Sequence, residues 1–204
     1  GRQWTPGDPP AALAKPVRWY GGKPSKWESD VEVSGKPLRY EILLEPSRQY
    51  WLYSLMYPAT EAWGTGITYD FRLVSNKQLN HSHLYSVTSY PDFEITPTLP
   101  SWLRKHNLQL PDTGNRRARH LAFEWKNKSQ RDTAVILKAL RYYRHTFTYT
   151  LRPPKLGSQS IDEFLFDTQS GFCEHFAGSF VFLMRAAGLP ARVVVGYQGG
   201  EVNP

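Results

Sequence analysis

Residues 167–190 read Asp167-Thr-Gln-Ser-Gly171-Phe-Cys173-Glu-His175-Phe-Ala-Gly-Ser-Phe180-Val-Phe-Leu-Met184-Arg-Ala-Ala-Gly188-Leu-Pro190. The punctuation is that of one helix: Ser170 and Gly171 precede it, and Gly188 with Pro190 ends it. Phe176, Phe180, Leu183, Met184 and Ala187 recur at helical spacing and form its buried stripe. Cys173, the only cysteine of the chain, therefore falls in the first turn. There the backbone N–H groups lack intrahelical acceptors and the helix dipole favours a thiolate. An acyl-transfer cysteine needs this placement, because the thiolate attacks a carbonyl while its own backbone N–H faces the developing oxyanion. A lone cysteine at a helix start is also a common small buried hydrophobe. Placement alone leaves both readings open.

Upstream of that helix, 161–166 reads as a helical turn and 147–151 as a short extended piece ended by Pro153 and Pro154. Ser129 reads as a helix cap with Asp132 at the third position. Val135, Ile136, Ala139, Leu140 and Tyr143 then mark an amphipathic helix from Asp132 to about His145. Downstream, Val193, Val194, Val195 and Tyr197 read as a buried strand.

The first half has a different texture. All seven tryptophans lie at or before Trp125, and residues 1–24 hold five of the sixteen prolines and read as extended loop. Leu38, Tyr40, Ile42 and Leu44 alternate with Arg39 and Glu41, as on a strand with one buried face. Residues 50–57 are apolar on both faces and read as a covered strand stopped by Pro58. Ile67, Tyr69, Phe71 and Leu73 alternate as a third strand, and 84–90 reads as a weaker fourth. Strands at this spacing predict a small sandwich or barrel.

Composition narrows the function classes. The chain has 204 residues, of which 40% are hydrophobic, 14% aromatic and 21% charged, a balance that supports a packed core rather than disorder. No run approaches the roughly 18 apolar residues of a membrane helix, and one cysteine excludes an internal disulfide. The sequence opens at Gly1 without an initiator Met and stops at Pro204, which reads as a segment of a longer protein. The formal charge of +7 is scattered. Arg116-Arg117-Ala118-Arg119-His120 and Lys126-Asn127-Lys128 are the local clusters, and no nucleic-acid fingerprint or phosphate loop accompanies them. No nucleic-acid partner is expected, and an anionic envelope surface accounts more simply for the balance. His81 and His83 share a strand face without an evident third ligand, so no metal is assigned, and no cofactor is expected. His106, His120 and His145 carry no spacing signal.

The blocks Ile161-Asp-Glu-Phe-Leu-Phe-Asp167, Gly171-Phe-Cys173-Glu-His175, Leu183-Met-Arg-Ala-Ala-Gly-Leu-Pro-Ala-Arg-Val193 and Gly196-Tyr-Gln-Gly-Gly-Glu201 together resemble the transglutaminase-like core of the bacterial TgpA family, preceded by Tyr149-Thr-Leu151-Arg-Pro-Pro154. Gly1-Arg-Gln-Trp4 is similar to a family signature within a leading β domain. The resemblance implies an α+β chain: a mostly β N-terminal domain over 1–98, a connector over 99–128, and the incomplete start of a papain-like core over 129–204. It implies Cys173 as nucleophile, with the His and Asp partners beyond Pro204, because His175 lies only two positions from Cys173 and projects about 200° away on a helix. Glu174 and His175 then help shape the helix start. The implied activity is thiol acyl transfer from a glutamine-type amide of a protein or peptide to an amine. Cysteine protease or amidase chemistry, or a non-catalytic envelope scaffold, are the alternatives. The implied location is the periplasmic side of a bacterial inner-membrane protein that is anchored outside this segment.

Overall fold

The computed structural model describes residues 17–23, 31–59, 62–95, 99–196 and 199. The Gly1 to Trp4 signature, most of the proline-rich opening, and Tyr197 and Glu201 lie outside these residues. The chain is α+β and divides between Thr98 and Leu99 into two compact units.

Among its described residues the first unit has nine short strands: β1 (Val17–Trp19), β2 (Val31–Ser34), β3 (Leu38–Leu44), β4 (Trp51–Leu52), β5 (Tyr57–Ala59), β6 (Thr65–Thr68), β7 (Leu73–Ser75), β8 (His83–Tyr90) and β9 (Asp92–Ile95). They form a four-stranded sheet in the order β1-β6-β7-β4, a three-stranded sheet β3-β8-β5 and a β2-β9 pair. All these pairings are antiparallel. The two larger sheets share one apolar core. Leu44, Tyr85 and Val87 come to it from one sheet, Leu52, Ile67 and Leu73 from the other. Alternation on β3 is as the sequence reads, with Tyr40, Ile42 and Leu44 turned inward and Arg39, Glu41 and Leu43 outward.

Three sequence expectations in this unit are corrected. The strand read over 50–57 is two strands, β4 and β5, separated by an irregular stretch in which Met56 has φ +45°. Tyrosine hydroxyls replace the ladder there. Tyr53 N–H donates to Tyr85 Oη at 2.8 Å, Tyr85 Oη donates to Tyr53 O at 2.9 Å, and Leu55 N–H donates to Tyr40 Oη at 2.6 Å. Pro58, expected to stop a strand, sits inside β5, an edge strand where its missing N–H costs no ladder bond. The alternating run 67–73 is not one strand: Ile67 and Thr68 end β6, residues 69–72 form a hairpin turn, and Leu73 begins β7. Phe71 N–H donates to Thr68 O at 2.9 Å, and Thr68 Oγ1 donates to Asp70 Oδ1 at 2.6 Å. Phe71 takes φ +61°, which period-2 patterning cannot reveal. The strand read as weakest, β8, is the longest and lies at the centre of its sheet.

The second unit contains α1 (Ser101–Asn107), α2 (Arg116–Asn127), α3 (Asp132–Thr146), β10 (Thr148–Tyr149), α4 (Ser160–Asp162), a π turn (Glu163–Thr168), β11 (Ser170–Gly171) and α5 (Cys173–Ala186). The stretch 99–128, read as a connector, is thus mostly helical. Ala118 and Ala122 of α2 are fully buried in the same core as Val135 and Ala139 of α3 and Leu183 of α5. Small residues let α2 approach closely, and its Arg- and Lys-rich remainder hides that face from a composition reading. Ser129 does not cap α3. The helix begins at Asp132 after Arg131, and Ser129 Oγ instead accepts a bond from Lys138 Nζ at 3.0 Å.

The end of α5 is as punctuated. Gly188 takes φ +78°, Leu189 N–H donates to Met184 O at 2.9 Å, and Gly188 N–H donates to Arg185 O at 3.0 Å. This paired closure of a helix end is what a glycine at that position permits. The strand expected from Val193 onward is absent among the described residues. Val194 and Val195 are 79% and 80% exposed. A β segment needs a ladder partner, and none of the described strands lies against it.

Candidate active site

Five local features place Cys173. The π turn ends at Gln169, which takes the left-handed conformation with φ +47° and donates its N–H to Phe164 O at 3.0 Å. The chain then leaves as β11, paired in parallel with β10 so that Tyr149 stands opposite Gly171. Thr148 N–H donates to Gln169 O at 2.9 Å, and Thr150 N–H donates to Gly171 O at 2.8 Å. Phe172 is extended and Cys173 is the first residue of α5. Cys173 is exposed at this position.

His175 closes the helix start. Its N–H donates to Phe172 O at 2.9 Å, while its Nδ1 accepts from Phe172 N–H at 3.5 Å. Its ring is wedged edge-on against Phe172, with centroids 4.5 Å apart, and lies 5.5 Å from the Phe164 ring. Among the described residues no hydrogen bond joins Cys173 to any imidazole. His120 sits beside Glu124 at 3.7 Å on the exposed face of α2, and His145 is exposed near the end of α3. His83 stacks on Tyr85 with centroids 5.5 Å apart. No group of three His, Cys, Asp or Glu side chains among the described residues could hold a metal.

The body of α5 is held rigidly. Ser179, fully buried, donates Oγ to His175 O at 2.7 Å and lies 2.7 Å from Tyr143 Oη on α3. Burial pushes the Tyr143 hydroxyl well above the ordinary tyrosine range, and the Ser179 bond offsets only part of that. Ser179 is thus enclosed, whereas Cys173, six positions earlier, is exposed.

One buried polar group that ties α4 to the start of α2 was missed by the sequence reading. The Asp162 carboxylate, buried, accepts from Arg117 N–H at 3.0 Å and Ala118 N–H at 2.8 Å at the start of α2. In return Asn115 Oδ1 accepts from Ile161 and Asp162 N–H groups, each at 3.1 Å, at the start of α4. The Gly114-Asn115 pair before α2 was a readable start signal, but its partner lies more than forty residues on.

Residues 1–95 match the model of the TgpA N-terminal domain, and 119–203 match that of the transglutaminase-like superfamily core. Over its whole length the chain is 40% identical to a protein-glutamine gamma-glutamyltransferase of Pseudomonas aeruginosa, of which it spans 29%. It is 37% identical over 99 residues to YebA of Bacillus subtilis, covering 46% of this chain and 13% of that protein. The crystal structure of the periplasmic domain of TgpA from Pseudomonas aeruginosa bound to ethylmercury superposes with a TM-score of 0.81 at 37% identity, over 92% of this chain and 76% of that one. A second crystal structure of that domain gives the same TM-score at 36% identity, over 92% and 75% of the two chains. The chain belongs to the TgpA family of transglutaminase-like proteins.

Proposed function

We propose that this chain is the β domain and the beginning of the catalytic core of a cell-envelope protein-glutamine gamma-glutamyltransferase, with Cys173 as its nucleophile. The observation that carries this reading is an exposed cysteine at the first position of α5 in the Gly171-Phe-Cys173-Glu-His175 context. In this reading the Cys173 thiolate adds to the carboxamide carbon of a glutamine side chain. The oxyanion that forms faces the Cys173 N–H, which has no intrahelical acceptor at that position. Collapse expels ammonia, with a proton supplied by a His expected beyond Pro204 and oriented by an Asp beyond it. The thioester then accepts a primary amine, which loses a proton as the new amide forms and the thiol is released. Water in place of the amine makes the same site an amidase or protease. The site acts on protein or peptide donors on the periplasmic side of an inner membrane, in a parent protein anchored outside this segment.

The test is Cys173→Ala in the full-length protein. Amine incorporation into a glutamine-containing acceptor is expected to disappear, while the fold survives at a cost of at most about 1–2 kcal/mol, since one sulfur leaves an open site. Retained activity, or a loss that merely tracks unfolding, removes Cys173 as nucleophile. Inactivity of the wild type on every glutamine or peptide donor supports the scaffold alternative.

A further inference from the structure

The aromatic cluster beneath α5 does not end in the core. Tyr143, Phe147, Phe164 and Phe176 meet one another with centroids 5.0–5.9 Å apart. At its outer margin Tyr149 stacks on Phe176, with centroids 6.1 Å apart and planes inclined by 23°. Yet Tyr149 is 62% exposed and Leu151 is 77% exposed. The ring rests on Phe176, and the backbone on either side of it is tied by Thr148 N–H to Gln169 O and by Thr150 N–H to Gly171 O. It therefore forms an exposed aromatic platform backed by Phe176.

Two relations put that platform beside Cys173. Tyr149 pairs in register with Gly171, two residues before the cysteine. Phe176 is three positions after Cys173 on α5, so the two share a helical face. We propose that Tyr149, backed by Phe176 and flanked by Leu151, is a specificity-determining residue that receives an aromatic or large aliphatic side chain adjacent to the acyl-donor glutamine. The proposal rests on the reading of Cys173 as the acyl-transfer nucleophile. An extended donor whose glutamine reaches Cys173 carries its next side chain past this ring, and the platform offers stacking and apolar contact without any charge.

Binding decides the matter independently of turnover. Two glutamine peptides that differ only in carrying Phe or Gly beside the glutamine are titrated against the full-length Cys173→Ala protein. The Phe peptide is expected to bind about tenfold more tightly. Adding Tyr149→Ala erases that preference, and adding Tyr149→Phe keeps it. Tyr149→Leu, which retains apolar area, keeps part of it and decides the question if the Ala variant melts early. With Cys173 present, the preference appears in KM and leaves kcat unchanged. Equal binding of the two peptides by the parent protein, or a preference that survives both Tyr149→Ala and Tyr149→Leu, overturns the proposal. The two readings fail separately. A preference without any amine incorporation sinks acyl transfer and leaves the platform, whereas incorporation without a preference sinks the platform alone.

Discussion

A methyl group added at residue 171 has no room. An ideal Cβ there would lie 2.7 Å from His175 Cβ, 2.8 Å from His175 Cγ and 2.9 Å from Phe164 Cε2. His175 Cβ is rooted in the first turn of α5 and cannot swing aside, so either β11 moves off β10 or the imidazole leaves Phe172 N–H. Gly171→Ala is expected to cost about 1–3 kcal/mol by overpacking, read by denaturant unfolding, and to alter the rate of Cys173 alkylation. A loss below about 0.5 kcal/mol with unchanged alkylation would mean that the loop yields freely. The sequence shows Gly171 as the punctuation of a helix start, and that reading is correct as far as it goes. The contact that demands glycine was not legible, since it brings together residues 164, 171 and 175 from a turn, a strand and a helix. The position of Cys173 in the first turn of α5 was legible because a punctuated helix start is a local feature.

Elements were legible where their signals are local. α3 and α5 carry apolar residues at helical spacing over fourteen or more residues, and β3 alternates over seven. They were misread where the stabilising partner is distant. The start of α2 has no acidic residue in its first turn and no side-chain cap of its own. The Asp162 carboxylate supplies the acceptor from α4, and Asn115 returns the favour. This reciprocal arrangement predicts a graded response. Asp162→Ala leaves two helix-start N–H groups without acceptors, that of Ala118 buried and that of Arg117 partly so, and is expected to cost about 2–3 kcal/mol. Asp162→Asn keeps one acceptor oxygen and costs about 1 kcal/mol. Chemical denaturation of the two variants beside the parent separates them, and equal, small losses would show that α2 does not depend on the carboxylate. The 50–57 stretch follows the same logic in the β unit. Its bonds go to the hydroxyls of Tyr40 and Tyr85, on strands that no local pattern connects to it.

At the scale of the whole molecule each unit closes its core around a tyrosine that must stay neutral. In the first unit burial lifts Tyr85 from its ordinary 10.0 to about 12, and the backbone bond to Tyr53 offsets only part of that. In the second unit burial raises Tyr143 further, against a smaller opposing effect of Ser179. The sign follows from proton counting. Below pH 10 both states of the protein hold these protons, so folding is indifferent to pH through these groups. Above pH 10 the unfolded chain releases them while the folded chain retains them, and stability falls as pH rises toward 12 and beyond. Tyr143→Phe loses the bond to Ser179, worth about 0.5–1.5 kcal/mol at neutral pH, but it removes the alkaline penalty of its unit. The prediction is therefore a crossing. The Tm of Tyr143→Phe lies below that of the parent at pH 8 and falls less steeply between pH 10 and pH 12, and the Tyr143 share of the tyrosinate absorbance, read as parent minus variant, rises together with unfolding rather than before it. Tyr85→Phe does the same for the β unit, at the expense of the clamp on Tyr53. Lysines also lose charge in this range, but equally in parent and variant, so the difference in slope isolates the tyrosine. Parallel slopes, or full ionisation of Tyr143 while the fold persists, would show that its hydroxyl is not enclosed as the α3–α5 packing requires.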